Sequence, residues 1–366
     1  MISNEQKNRM AIILLDSYEG LEYKHKVTVL SKYKNPGEMF DDIGFAANYV
    51  RETLGGSAAN TISRSFTFSQ AEYVTAKIDK RGVKTITYLD EEYPEEILNY
   101  PLYPLVLYAI GNVGLLKAKR KFSIVGSRKT LSFALKTTEG IARTLAENSV
   151  VIVTGSALGG DRSAIVGAIK TGNIISVLAH GSDHVYPESN RSLIEEVMKS
   201  GLVISEYPPE TPPAAWRYPV RNRIIAALGD GLLVSSGSME SGTRHTAKYA
   251  EAYSKRLYAF PYSLGESSGE ICNLLIKIGK ASLTENADDI ALGEGFKLDG
   301  AKTPELTERE KLLLMAIDGK ITVDDLCIKT GKKAYEILPV LSMLEIKGVV
   351  ARESGNSYVA LIKLNQ

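Results

Sequence analysis

From Lys121 onward, short apolar runs alternate with longer amphipathic stretches. Phe122-Ser123-Ile124-Val125, Val150 to Val153, Ile174 to Leu178, Leu202 to Ser205, Gly231 to Val234 and Leu257 to Phe260 are strand-length and rich in Ile, Leu and Val. Helix-length segments separate them. One follows Arg128, with Ile141, Ala142 and Leu145 at helical spacing, and others run over Ser163 to Lys170, Leu193 to Lys199, Arg223 to Leu228 and His245 to Ser254. Strands alternating with helices predict a parallel sheet covered on both faces. Right-handed crossovers then bring the C-terminal strand ends to one edge, where ligands bind in such sheets. The expected fold class is therefore α/β, a Rossmann-like and mostly parallel sheet.

Two flanking units break this rhythm. Residues 1–75 read as a small helical domain, with apolar stretches at Met10 to Leu15, Val27 to Tyr33 and Phe45 to Leu54 split by Gly20, Pro36-Gly37 and Gly55-Gly56. Residues 76–120 read as an extended connector to the sheet domain, which spans 76–302. Val83 to Tyr88 alternates like a strand, and Tyr93-Pro94 and Tyr100 to Pro104 punctuate the rest of the connector. Residues 303–366 form the third unit. Thr307 and Glu310 have the spacing of a capping box. Ile321 to Lys329, Gly331 and Tyr335 to Leu344 have helix-turn-helix proportions, and Val349 to Arg352 and Tyr358 to Ile362 flank the hairpin signal Gly355-Asn356. Together these outline a winged helix. Lys332 and Lys333 stand only at the start of its second helix, followed by Leu338, Leu341 and Leu344 in core spacing, which suits packing more than groove reading.

Length and composition narrow the setting. A chain of 366 residues exceeds one small core. Its 44% hydrophobic and 24% charged content is ordinary for a globular protein. The net charge of +1 leaves no global field to attract a polyanion, so any nucleic-acid surface must be a local patch. Cys272 and Cys327 lie in separate segments without ligand spacing to a histidine, which argues against a disulfide framework or a zinc site. Ala11 to Leu15 is too short for a signal core or a membrane span, and the expected location is the cytoplasm, with no membrane partner.

Candidate chemistry gathers where strands meet helices. Gly126-Ser127-Arg128 combines a tight turn, a helix N-terminus and a forked cation suited to phosphate. Gly155, Ser156, Ala157, Gly159, Gly160 and Asp161 repeat that logic after the next strand, although Asp161 could simply cap its helix. Trp216, Arg217 and Tyr218 precede Arg221, Asn222 and Arg223. Aromatic rings interleaved with guanidiniums suit a single strand, whose bases stack while cations hold its phosphates. The plain alternative is a charge cluster over a packed aromatic. Ser241, Gly242, Thr243 and Arg244 form a further loop of this type, and Gly265 to Gly269 a less specific one. His180 and His184 read as loop or surface histidines, and no Ser-His-Asp order stands out.

In order and spacing these blocks resemble the DNA-processing DprA (Smf) family over nearly the whole chain. The resemblance runs through the connector from Tyr93-Pro94 to Gly111, then Ile124 to Arg128, Thr154 to Asp161, and Val177-Leu178-Ala179 with Gly181 and Asp183. It continues through Tyr186-Pro187 with Asn190 and Leu193, Ser205 to Pro208, Tyr218 to Ile225, and Ser241-Gly242-Thr243 before Thr246-Ala247. It implies a protein that binds single-stranded DNA without a cofactor, as a homodimer, and helps load a RecA-type recombinase on DNA taken up in natural transformation. It also implies an N-terminal SAM-like helical domain and a C-terminal winged helix, the latter through Leu341, Leu344-Glu345, Gly348 and Val349. The DNA would lie against the loops at Gly126 to Arg128, Gly155 to Asp161 and Tyr218 to Arg223.

The chain departs from the family pattern at Arg162, directly after Asp161, and in three further places. Ile165 stands where a histidine is usual, Val234-Ser235-Ser236 replaces Val-Glu-Ala, and Pro261-Tyr262 replaces Pro-Gly, so a rim of different polarity is expected. Two other functions share such a fold. A nucleotide phosphoribohydrolase would need glutamates directly after a Pro-Gly-Gly-x-Gly-Thr loop, whereas Arg244, His245 and Thr246 follow Ser241-Gly242-Thr243. The expectation is accordingly a binding protein and not an enzyme. A sensor for a small nucleotide would use the same loops as a DNA-binding protein.

Overall fold

The structure is a computed structural model that describes residues 2–18, 20–298, 306–347, 349–353 and 356–360. Five helices open the chain: α1 (Asn4–Asp16), α2 (Tyr23–Leu30), α3 (Gly44–Leu54), α4 (Gly56–Ser65) and α5 (Phe68–Asp79). Ser3 and Gln6 form a capping box that starts α1, and the run Ala11 to Leu15 is wholly buried. The helical unit extends through Asp79, so the expected end at residue 75 falls inside α5.

The connector is not merely extended chain. It supplies β1 (Lys84–Thr87), the short α6 (Glu95–Leu98) and β2 (Val106–Gly111). There follow β3 (Lys121–Val125), α7 (Ser132–Glu147), β4 (Val151–Thr154), α8 (Gly160–Ala168), β5 (Ile174–Leu178), α9 (Arg191–Ser200), β6 (Leu202–Ser205), α10 (Arg217–Leu228), β7 (Gly231–Val234), α11 (Thr243–Ala252), β8 (Arg256–Ala259), α12 (Glu270–Lys277), β9 (Ala281–Leu283) and α13 (Ala287–Glu294). All nine strands form one sheet in the order β1-β2-β6-β5-β4-β3-β7-β8-β9. β3 through β9 pair in parallel, with Phe122 opposite Ile152 and Ile124 opposite Leu233, while β1 and β2 are antiparallel additions.

β2 holds two cores together. Side chains of a strand alternate between faces. Leu107 and Ala109 enter the main core of the sheet, whereas Val106 and Tyr108 enter the core of the N-terminal helices. Apolar residues on both faces remove the polar–apolar alternation by which a half-buried strand is read from sequence.

α10 begins at Arg217, six residues before the expected start at Arg223. Pro219 falls in its first turn, where the missing N–H removes no internal helix bond. Among the described residues no helix is long and apolar enough to cross a membrane, and no group of three or more His, Cys, Asp or Glu residues could hold a metal ion.

The C-terminal unit comprises α14 (Glu308–Ala316), β10 (Ile321–Thr322), α15 (Val323–Thr330), α16 (Ala334–Ile346), β11 (Val350–Glu353) and β12 (Ser357–Ala360), the arrangement of a winged helix. Thr307 and Glu310 form the expected capping box. The expected boundary at 303, Gly348, Gly355 and the strand end at 361–362 lie outside the described residues. Leu313, Leu326, Ile337, Leu341 and Leu344 belong to a core of their own. Because a unit with its own core can fold alone, removal of residues from 303 onward is expected to leave the sheet unit folded and able to bind an oligonucleotide. Thermal melting together with a binding titration of the shortened chain checks this. A folded product that no longer binds would place the site elsewhere.

Candidate nucleic-acid interface

Chain order reverses between β3 and β7. From β3 the chain builds outward through β4, β5 and β6, then returns through α10 to lay β7 on the other side. The loops after β3 and β7 therefore diverge, and the gap between them is where open α/β sheets bind ligands. A cleft of about 690 Å³ lies there.

Three loops form its walls, and glycines let them meet. Gly126 and Gly160 face each other so closely that a Cβ on Gly160 would stand 2.5 Å from the Gly126 Cα. The Gly160 N–H donates to the Ser127 carbonyl at 3.4 Å. The Ser127 N–H donates to the Ser236 hydroxyl at 2.9 Å. These glycines thus let the two loops pack against each other, and Gly126 also lines the cleft.

Asp161 fastens this joint from within. Its carboxylate accepts from the Gly126 and Ala157 N–H groups, both at 3.4 Å. Burial pushes its pKa up, opposed by the Arg221 guanidinium and by those two N–H donors. Arg221 is itself buried, and donates to the Val177 carbonyl and, at 3.1 Å, to Asn222 Oδ1. Burial lowers the Arg221 pKa, and the Asp161 carboxylate works against that shift. A Cβ on Gly155 would lie 2.3 Å from Asp161 Oδ2 and 2.7 Å from Arg221 Nη2, so glycine there makes room for the pair. Asn190 supports the second loop by donating to the Ser156 and Ala157 carbonyls at 2.9 and 3.2 Å.

Arg128 and Lys129 project from the first loop as exposed cations with no ion pair among the described residues. The Arg128 guanidinium stands 5.7 Å from the ring centre of Tyr218. Across the cleft, Ser241, Gly242 and Thr243 begin α11, and Ser241 Oγ accepts from the Thr243 N–H at 3.3 Å. Tyr218 Oη and Thr246 Oγ1 are buried polar atoms without a hydrogen-bond partner among the described residues, and both residues line the cleft. A free guanidinium, the N-terminus of α11 and unmatched hydroxyls suit an anion with several oxygens.

The cleft brings together Gly126, Ser127, Arg128, Ala157, Asp161, Tyr218, Arg221, Asn222, Ser241, Gly242 and Thr243 of the expected site. Gly155, Ser156, Gly159 and Gly160 lie behind this lining. Arg244 is exposed on the first turn of α11, outside it. Trp216, Arg217 and Arg223 are on another face of α10 and line a separate cavity. Arg223 is buried and paired with Glu206 at 2.6 Å, so its expected place among the free cations is corrected to a structural one. Sequence reasoning left out Lys129, Thr130 and Thr246, and gave the lip at Glu266 to Ser268 only within the less specific loop Gly265 to Gly269. Lys129 was legible as the cation next to Arg128, whereas Thr246 reaches the cleft only through the fold.

Residues 84–293 match the family model of DNA recombination-mediator protein A, and residues 299–356 match the DprA winged helix domain. The chain belongs to the DprA family. The DNA processing protein DprA of Streptococcus pneumoniae (strain ATCC BAA-255 / R6) is 35% identical over 204 residues, which is 56% of this chain and 72% of that protein. The X-ray structure of DprA from Streptococcus pneumoniae superposes with a TM-score of 0.62 at 28% identity, covering 79% of this chain and 97% of the other. DNA processing protein A from Helicobacter pylori, whose structure concerns its single-stranded DNA binding mode, gives a TM-score of 0.53 at 31% identity, covering 57% of this chain and 93% of that one.

The three further departures from the DprA pattern have structural roles here. Ile165 is fully buried in the core, one turn beyond Asp161 on α8, and does not line the cleft. Ser235 and Ser236 hold the first loop, Ser235 Oγ by donating to the Val125 carbonyl at 3.2 Å. Tyr262 donates to the Ser235 carbonyl at 2.7 Å and meets Thr130 Oγ1 at 3.3 Å, and burial pushes its hydroxyl up to about 12. His180 is buried with Nδ1 3.0 Å from the Gly181 carbonyl, and burial lowers its pKa.

Proposed function

We propose that this protein binds single-stranded DNA by its backbone in the cleft between the loops after β3 and β7, and performs no chemistry on it. The reading rests on one observation above all: Arg128, a guanidinium with no ion pair among the described residues, stands at the switch-point cleft against the Tyr218 ring. Phosphates would meet Arg128, Lys129 and the start of α11, while Tyr218 offers a ring to a base. In this reading the protein works in the cytoplasm as a homodimer that protects incoming DNA and passes it to a RecA-type recombinase.

Binding is expected to tolerate sequence and to weaken with salt, each phosphate contact adding about 0.7 to the slope of log affinity against log salt for a single strand. Arg128→Ala should lower affinity roughly five- to a hundred-fold, from the loss of about 1–3 kcal/mol, with an unchanged melting curve. Arg128→Lys should restore only part, since it keeps the charge and loses the fork. Fluorescence anisotropy of a labelled oligonucleotide at several salt concentrations measures both. Equal affinity at low and high salt, or an Arg128→Ala protein that binds as the parent does, would defeat the proposal.

A further inference from the structure

α10 divides two cavities. Tyr218, Arg221 and Asn222 face the cleft, whereas Trp216, Arg217, Val220 and Arg223 face a second cavity of about 650 Å³ between the sheet and the N-terminal helices. The second set recurs at three- and four-residue intervals, which places it on one side of a helix. The two cavities are thus separated by about one helix diameter, on the order of 10 Å.

The second cavity has aromatic walls and one uncompensated charge. Trp216 is 62% exposed. The Arg217 guanidinium lies 5.1 Å from the Trp216 ring centre and 4.8 Å from that of Tyr207, and the two rings meet edge-on at 6.5 Å. The other cations of the lining are matched, Lys26 by Asp16 at 3.1 Å, Lys24 by Glu22 at 3.0 Å and Arg223 by Glu206 at 2.6 Å. Arg217 has no carboxylate partner among the described residues, and donates through Nη1 to the Pro212 carbonyl. Its Nε and the hydroxyl of Thr211 are buried without a hydrogen-bond partner among the described residues. Buried polar groups without partners cost stability unless something completes them.

We propose that this cavity is a second nucleotide site, which stacks a planar base on Trp216 and holds the adjoining phosphate with Arg217. The rings and the guanidinium plane suit a flat π-system, the free cation suits one negative charge, and the volume is that of a small-molecule pocket. A nucleotide combines both features. It could arrive as one residue of the strand bound in the cleft or as a free mononucleotide. The first source rests on the reading of the cleft given above, and the second does not.

Trp216 is the only tryptophan of the chain, so its emission reports on this cavity. The full chain is titrated with a labelled oligothymidylate, with an abasic strand of equal length and with thymidine monophosphate, following anisotropy for the strands and Trp216 emission for all three. The expected result is saturable quenching by the base-bearing strand at the midpoint seen by anisotropy, and none by the abasic strand. Arg217→Gln should weaken base-bearing strand binding about five- to a hundred-fold, the range for one stacked base, and abasic binding by less, since the abasic strand keeps the phosphate but has no base to stack. Arg217→Lys keeps the charge without the plane and should recover little. Quenching by the mononucleotide alone, with no strand bound, would support a free-nucleotide site and remove the cleft reading. Strands that bind equally with and without bases, leaving Trp216 emission unchanged, would overturn the second site and keep the cleft. No binding of strand or mononucleotide would overturn both.

Discussion

Replacing Gly159 with alanine is expected to lower the melting temperature by roughly 5–20 °C and to abolish tight strand binding. Gly159 has φ +78 and ψ −126, a conformation that L side chains rarely adopt. A Cβ there would stand 2.0 Å from the Ser127 carbonyl oxygen and 3.0 Å from the Arg128 Cα. Both are backbone atoms, so no rotamer change relieves the clash. Backbone strain costs about 1–3 kcal/mol and forced overpacking about as much again. The first loop must move, and it carries Arg128 with it. Gly140→Ala provides the control. Gly140 lies inside α7 with nothing near its would-be Cβ, and alanine there should hold or raise stability by about 1 kcal/mol. Calorimetry and oligonucleotide titration of both variants check the pair. A Gly159→Ala protein that melts and binds like the parent would mean that the loop contact does not shape the cleft.

Glu206→Ala should be as damaging, through another cause. Arg223 donates to both Glu206 oxygens at 2.8 and 2.6 Å and to the Leu102 carbonyl at 2.8 Å, which ties α10 to the connector. Burial acts against its charge, but the Glu206 carboxylate outweighs that and raises the Arg223 pKa. Removing the carboxylate leaves a buried cation that cannot shed its proton, at a cost of about 3–5 kcal/mol. Replacing both partners, Glu206→Leu with Arg223→Met, should recover most of the loss, because the uncompensated charge is gone. Denaturant unfolding of the single and double variants measures this. If the double variant keeps the salt-dependent binding of the parent, Arg223 is structural. If it loses that binding while folded, the expectation drawn from sequence, that Arg223 touches DNA, returns.

Some of this protein was legible in one dimension. The parallel sheet was, because strands such as Ile174 to Leu178 are apolar at nearly every position and alternate with amphipathic segments. The loops after β3 and β7, which line the cleft, were legible as candidates through their glycines, hydroxyls and Arg128. β2 was not, since its two faces serve different cores and its sequence carries no alternation. The roles of the arginines were also hidden. Arg221, Arg223 and Arg217 stand within seven residues of one helix and carry the same guanidinium. Helical rotation sends Arg221 beneath the cleft against Asp161, Arg223 to Glu206, and Arg217 to two aromatic rings. The sequence alone determines which groups exist and the period at which they recur. Burial and partner decide which of them are already satisfied, and both come from segments far apart in the chain, so only the tertiary structure separates a cation that holds the fold from one left free to bind.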